Sequence, residues 1–233
     1  MPTIVFASPK GGVGKSTAAV LLATELAGFG ATVTMIDADP NKPLSHWAKL
    51  PGRPAKLSVE ADVSEDSIID AIETAARKTA FVIVDLEGTA SMMVGYAMSR
   101  ADLVIIPVQG SHLDAAEAAK AIKLLQAQER EFKRMIRYAV LFSRTSAAIR
   151  SRTLQNIEAQ FRERQIPMLN TQIIEREAYR ALFAFGGTLS SLDAAQVSNI
   201  PAAIMNARIF STEIVTMLKA DTKRARAAEA EMA

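Results

Sequence analysis

The most specific chemistry in the chain lies in Lys10-Gly11-Gly12-Val13-Gly14-Lys15-Ser16-Thr17. This stretch follows a short β-branched run and opens a helical pattern, the setting a phosphate-binding loop requires. Its glycines let the backbone curl without Cβ clashes, so successive N–H groups can converge on phosphate oxygens. A helix beginning at Ser16 adds the positive end of its dipole. In such a loop Lys15 reaches the β- and γ-phosphates, and the Ser16 hydroxyl can ligate Mg²⁺. No Asn-Lys-x-Asp guanine motif occurs, which favours ATP over GTP.

Acidic residues follow where that chemistry needs them. Met35-Ile36-Asp37-Ala38-Asp39-Pro40 ends a second apolar run with two carboxylates. The carboxyl ends of strands face the crevice where open α/β sheets bind ligands. In Phe81-Val82-Ile83-Val84-Asp85 four apolar residues end in an acid able to support a hydrated Mg²⁺.

Pro9 stands five positions before Gly14, where the usual Walker A loop has glycine, and Lys10 adds a second lysine. This deviant Walker A form resembles the ParA/MinD family of partition and positioning ATPases. Leu103-Val104-Ile105-Ile106-Pro107-Val108 matches a further strand of that family. The resemblance implies catalytic roles for Lys10, Lys15 and Asp39. Lys10 would reach the partner's phosphates across a nucleotide-sandwich dimer, and Lys15 would bind phosphate within its own subunit. Asp39 would orient the attacking water. Asp37 would hold Mg²⁺ through its water shell, beside Ser16 and Asp85. Gly11, Gly12, Val13, Gly14 and Thr17 would complete the nucleotide contacts, with Arg144 and Ile174 at the adenine. Leu86-Glu87-Gly88-Thr89 occupies the place of a Pro-rich switch in many relatives, and Ile173-Ile174-Glu175 the place of an Ile-Pro.

The elements that must position these groups alternate along the chain. Thr3–Ala7, Thr32–Ile36, Phe81–Val84, Leu103–Val108 and Tyr138–Phe142 have the pattern of buried strands. Ser16–Phe29, Ser64–Lys78 and His112–Arg134 have that of helices, the last with Ala118, Ile122 and Leu125 on one face. A further helix turns Leu154, Ile157 and Phe161 inward, and a final amphipathic one begins near Ser198 with Ile200, Ile204, Ala207, Ile214 and Leu218. Pro51–Pro54 is a loop, and Gly186–Gly187 breaks the chain before the final helix. The alternation predicts an α/β fold: a mostly parallel, twisted sheet with helices on both faces, as in P-loop NTPases. With no repeat or linker, residues 1–233 are expected to form a single domain.

Composition excludes several classes. Hydrophobic residues make up 49% of the 233, and the net charge is only +2, which is no disordered chain. Cysteine is absent, which removes thiolate catalysis, cysteine-ligated zinc and any iron–sulfur cluster carried on this chain, including the nitrogenase iron-protein type. No run reaches the roughly 18 apolar residues of a membrane span. The N-terminus lacks the pattern of a secretory signal, so a cytoplasmic protein is expected. His46 and His112 have no metal-ligand neighbours, Trp47 has the place of a packing anchor, and Met92, Met93 and Met98 are expected to fill core space.

Charge divides unevenly, with 9 basic and 13 acidic residues in 1–116 but 18 and 12 in 117–233. A basic half can attract a polyanion. The tail 220–233 has Met232 as its only large apolar residue, unlike a membrane-binding helix, so no membrane partner is expected. The stretch 37–47 and the short segment before the loop look most like small plasmid ParA proteins, and like the related virulence ATPase that binds transfer-DNA borders. The resemblance therefore implies an ATP-dependent homodimer that binds duplex DNA non-specifically and is nucleoid-associated when ATP-bound. A stimulating adaptor, either centromere-binding or cargo protein, would trigger slow hydrolysis. Arg150, Arg152, Arg176, Arg180, Arg208 and Lys219 are the expected DNA contacts. The alternative is a MinD-like ATPase that positions a protein cluster or acts at a membrane site.

Overall fold

The computed structural model describes residues 1–88, 91–146 and 151–231, without the side chains of His112 and 221–231. Strands and helices alternate among these residues. In chain order they are β1 (Thr3–Phe6), α1 (Lys15–Gly28), β2 (Val33–Ala38), α2 (Pro43–Lys49), β3 (Leu57–Glu60), α3 (Ile68–Lys78), β4 (Phe81–Leu86) and α4 (Met92–Ser99). The second half holds β5 (Leu103–Val108), α5 (His112–Phe132), β6 (Tyr138–Thr145), α6 (Arg152–Glu163), β7 (Ile173–Ile174), α7 (Glu177–Phe185) and α8 (Ile200–Glu231).

All seven strands are parallel, in the order β3-β2-β4-β1-β5-β6-β7. Successive side chains of a strand point to opposite faces, and both faces here are covered. Ile4 and Phe6 of β1 join Ile105 and Leu141 in the core beneath α1, α2, α7 and α8. Val5 and Ala7 join Val104, Ile106, Val140 and Phe142 beneath α3, α4, α5 and α6. This explains why the strands are continuous apolar runs. The predicted α/β class with helices on both faces is the observed one.

Boundaries differ where the sheet overrides local pattern. β2 extends to Ala38 and β4 to Leu86, because their ladder continues through Asp37↔Asp85 and Ala38↔Leu86. The two acids thus lie within strands rather than just beyond them. Helix α5 stops at Phe132, two residues short of expectation, where Lys133 takes a left-handed conformation (φ 48°). β3 and β7 were not apparent in the sequence, being an edge strand with one buried residue and a two-residue strand. The short helices α2 and α4 were also missed, and α7 was read only as the helix turn carrying Arg176 and Arg180. Trp47 is fully buried, as its anchoring role requires, and Met98 lies in the core, but Met92 is 63% exposed.

Two loops meet at bare backbone. Gly186, at φ 79°, ends α7 so close to the loop after α2 that a Cβ there would lie 2.5 Å from Leu50 Cβ. This contact joins the helix that follows Asp39 to the helix that follows Ile174. Gly186→Ala should destabilise the fold by about 1–3 kcal/mol, from left-handed strain and the displaced loop. Urea unfolding would measure this, and an unchanged midpoint would show that the two loops separate freely.

Candidate functional site

β1 occupies the centre of the sheet, between β4 and β5, so the loop leaving it emerges between the carboxyl ends of its neighbours. Gly12 (φ 74°) and Gly14 (φ 90°) hold conformations that only glycine adopts readily. Gly14 is the N-cap of α1 and supplies no side-chain cap, which leaves first-turn N–H groups for a ligand. A cleft of about 750 Å³ opens over the loop. Gly11, Gly12, Gly14, Lys15, Ser16 and Thr17 line it, while Val13 is buried beneath.

Lys15 is 5% exposed, and its Nζ lies 3.4 Å from the Lys10 carbonyl. Burial lowers its pKa from the usual lysine range, against the pull of Asp85, Asp39 and Glu87. Asp37 and Asp85 face each other in register and are fully buried. Asp37 Oδ2 accepts from Ser45 N and Oγ, each at 2.8 Å. Among the described residues, Asp37 Oδ1 and both oxygens of Asp85 have no partner within hydrogen-bond distance. Burial pushes the Asp85 carboxyl up to about 7, opposed by the nearby Ser16 hydroxyl and Lys15. Buried carboxylate oxygens without donors, beside a hydroxyl and a phosphate loop, fit a hydrated Mg²⁺ held chiefly through water. Among the described residues no three His, Cys, Asp or Glu side chains are grouped to bind a metal by themselves.

Asp39 lines the same cleft, with its Oδ1 fixed by Asn41 N at 2.8 Å and Nδ2 at 3.0 Å. Lys42 secures this turn from below, its Nζ donating to the carbonyls of Asp37 (3.0 Å) and Ala61 (2.7 Å). Lys10 behaves differently from Lys15. Its side chain is 39% exposed, it does not line the cleft, and its Nζ is 2.6 Å from Asp114 Oδ1. Asp114 is buried at the first turn of α5, where it also accepts a hydrogen bond from the Ser111 hydroxyl.

The far arm of the cleft contains Arg144 and Ile174, together with Glu175, Arg176, Tyr179, Arg180 and Phe183. The Ile174 N–H donates to Asn206 Oδ1 at 3.1 Å. Tyr179 donates to Asn206 Oδ1 at 2.9 Å, and burial pushes its pKa up to about 12. Sequence reasoning missed Asp114, Asn41, Tyr179 and Phe183. The Ser111-x-x-Asp114 spacing is a helix-start signal that could have exposed the first of these.

The expected DNA contacts are dispersed. Arg152 is exposed at the start of α6, and Lys219 is exposed on α8. Arg176 lines the nucleotide cleft. Arg180 is paired with Glu175 (2.9 Å) and Glu177 (2.6 Å). Arg208 pairs with Glu25 at 3.5 Å and lies over the Phe29 ring. Arg150 lies outside the described residues. Arg176 and Arg180 therefore belong to the cleft wall, and charge reversal there would disturb the nucleotide site as well as any DNA surface.

The family model described as VirC1 protein matches residues 1–225. A protein named ParA from Rhizobium radiobacter is 45% identical over 218 residues, covering 94% of this chain and 98% of the relative. The Cyanothece McdA(D38A)–ATP complex superposes with a TM-score of 0.73 at 19% identity, covering 92% of this chain and 96% of that one. The MinD cell division protein of Aquifex aeolicus gives 0.70 at 19% identity, over 93% and 98%.

Gly88, just after β4, rests on the loop itself. A Cβ at this position would lie 2.8 Å from Gly11 N and 3.1 Å from the Lys10 carbonyl carbon. Gly88→Ala should shift the loop and raise the Kd for ATP about tenfold, equivalent to ~1.4 kcal/mol. Calorimetric titration would show it, and unaltered affinity would mean that the segment after β4 moves away without resistance.

Proposed function

Because the chain belongs to the VirC1 group of the ParA/MinD family, whose members are P-loop partition or positioning ATPases, we propose that it is an ATP-dependent dimerising switch acting on DNA. The observation that carries this reading is the contrast between the two lysines. Lys15 is buried in the wall of its own cleft, whereas Lys10 stands outside that cleft on an exposed, ion-paired arm. An ammonium so placed is of little use to its own nucleotide and is available to a facing subunit.

In the proposed cycle the loop amides and Lys15 bind the phosphates, and Ser16, Asp37 and Asp85 hold the hydrated Mg²⁺. Bound there, Mg²⁺ supplies positive charge that neutralises the β- and γ-phosphates. Asp39, fixed by Asn41, orients the attacking water. Lys10 of each subunit completes the other's site, so hydrolysis is slow until the dimer forms and an adaptor stimulates it. Positioning and charge stabilisation do most of the catalytic work in phosphoryl transfer. Residues 1–233 act as a single ATPase domain in this scheme. Plasmid, chromosomal or transfer DNA would be its cargo or its track, with nucleoid association in the ATP state. Among the described residues no helix is long and apolar enough to cross a membrane.

Two expectations test the scheme. Lys15→Ala should abolish ATP binding, whereas Lys10→Ala should bind ATP but neither dimerise nor turn it over. Nucleotide titration with light scattering separates these outcomes, and normal dimerisation by Lys10→Ala would remove the assigned role. Duplex DNA of unrelated sequences should be retarded in gels with ATP but not with ADP or without nucleotide. Each phosphate contact should contribute about 0.9 to the slope of log affinity against log salt. Charge reversal at Arg152 and Lys219 should weaken binding alike on every sequence. Equal retardation in all nucleotide states would eliminate the switch.

A further inference from the structure

Other strands hold the phosphate loop from outside. The Gly12 carbonyl accepts from Arg144 Nη1 at 3.1 Å and from Gln109 Nε2 at 3.2 Å. The Val13 carbonyl accepts from the buried Ser143 hydroxyl at 2.6 Å. A trans peptide is planar, with its N–H directed opposite its C=O. Holding these two carbonyls outward directs the next two amides, those of Val13 and Gly14, toward the hollow of the loop.

Arg144 reaches this place through a local irregularity of the sheet. Ser143 pairs with Ile173 and Thr145 with Ile174, so two steps along β6 oppose one along β7 and Arg144 is the extra residue. Its φ of 53° is a left-handed conformation that non-glycine residues disfavour. Such bulges re-aim side chains next to active sites. The guanidinium is held in turn by Glu175, which accepts from Arg144 Nη2 and from Arg180 Nη1, each at 2.9 Å. Gly14 packs against the same strand end, its Cβ position 3.7 Å from Ser143 Cβ.

We propose that Gln109, Ser143 and Arg144 are positioning residues that pre-set the Val13 and Gly14 amides for phosphate, and that Arg144 acts on the loop rather than on the base. The inference rests on the nucleotide reading of the cleft. It differs from an adenine-contacting role in one measurable respect: a residue acting on the loop serves any polyphosphate, whether or not a base is attached.

The test titrates wild type, Ser143→Ala and Arg144→Lys calorimetrically with Mg-ATP and with Mg-tripolyphosphate. Arg144→Lys keeps the charge but loses the planar fork that spans Gly12 and Glu175. Each variant should weaken both ligands by the same factor, about tenfold for a lost hydrogen bond to a charged donor or a buried acceptor. Urea midpoints without ligand should stay within error of wild type for Arg144→Lys. In amide NMR spectra of the ligand-free protein, Ser143→Ala should displace the Gly14 signal, and Arg144→Lys the Val13 signal, ahead of signals from the core. Loss of ATP affinity in Arg144→Lys with tripolyphosphate binding intact would overturn the proposal in favour of a base contact. Unchanged affinity of both variants for both ligands would overturn it outright. If wild type bound neither ligand, the nucleotide reading itself would fall, an outcome distinct from the other two.

Discussion

Two carboxylates and an ammonium are packed where water scarcely reaches, and the architecture around the cleft follows from keeping them there. Removing such groups from water costs several kcal/mol for each ion unless partners replace the lost solvation. Asp37 is partly compensated by the Ser45 backbone and hydroxyl. Asp85 has only the nearby Ser16 hydroxyl and the Lys15 charge to set against its burial, which raises its pKa to about 7. Lys15 responds in the opposite sense, its pKa lowered by the same burial. Such a cluster would be completed by the hydrated Mg²⁺ and the phosphates of the proposed cycle. The parallel sheet, with β1 between β4 and β5 and β2 beyond β4, brings the ends of β2 and β4 to the same edge as the loop leaving β1.

The loops around that cluster are tied to one another by close approaches of glycine backbone and by one lysine side chain. Gly88 lies directly on Gly11, Gly186 meets Leu50 and the Pro51 carbonyl, and the Lys42 side chain joins the carbonyl of Asp37 in β2 to that of Ala61 after β3. The glycine contacts have little slack, because backbone cannot change rotamer. A displacement after β4 would therefore press on the phosphate loop, and one after α2 on α7, which carries Tyr179 and Phe183. The two arms of the cleft share a frame.

Much of this was legible in the sequence, and the illegible part has physical causes. The loop, Asp37, Asp39 and Asp85 were readable because their chemistry depends on local spacing at strand ends. The central strands were readable because burial on both faces leaves an unbroken apolar run. Leu57–Glu60 was not, since an edge strand with one inward residue has no periodicity to detect. Asp114 was hidden for another reason: it pairs with Lys10 across 104 positions of chain, and only the fold brings them together. Arg176 and Arg180 were read as DNA contacts one turn apart, yet their neighbours Glu175 and Glu177 and the turn into α7 place them in the cleft wall. Charge counting is blind to such pairing.

The Lys10–Asp114 pair then sets a condition on the proposed dimer. Asp114 is 2% exposed, so withdrawing Lys10 leaves a buried carboxylate with the hydrogen bond from the Ser111 hydroxyl as its remaining support. Helix N-termini favour a negative charge, which makes the state tolerable but not free of cost. Breaking a buried ion pair by removing one partner typically costs about 3–5 kcal/mol, and less where one member, as here, is partly solvated. A facing nucleotide must offer Lys10 more than Asp114 does. The γ-phosphate, with its extra charge, is the part of the ligand able to do so, and its loss on hydrolysis returns the advantage to Asp114. The same ion pair that holds Lys10 in the free subunit would thus discriminate ATP from ADP at the dimer interface, with no moving part larger than one side chain.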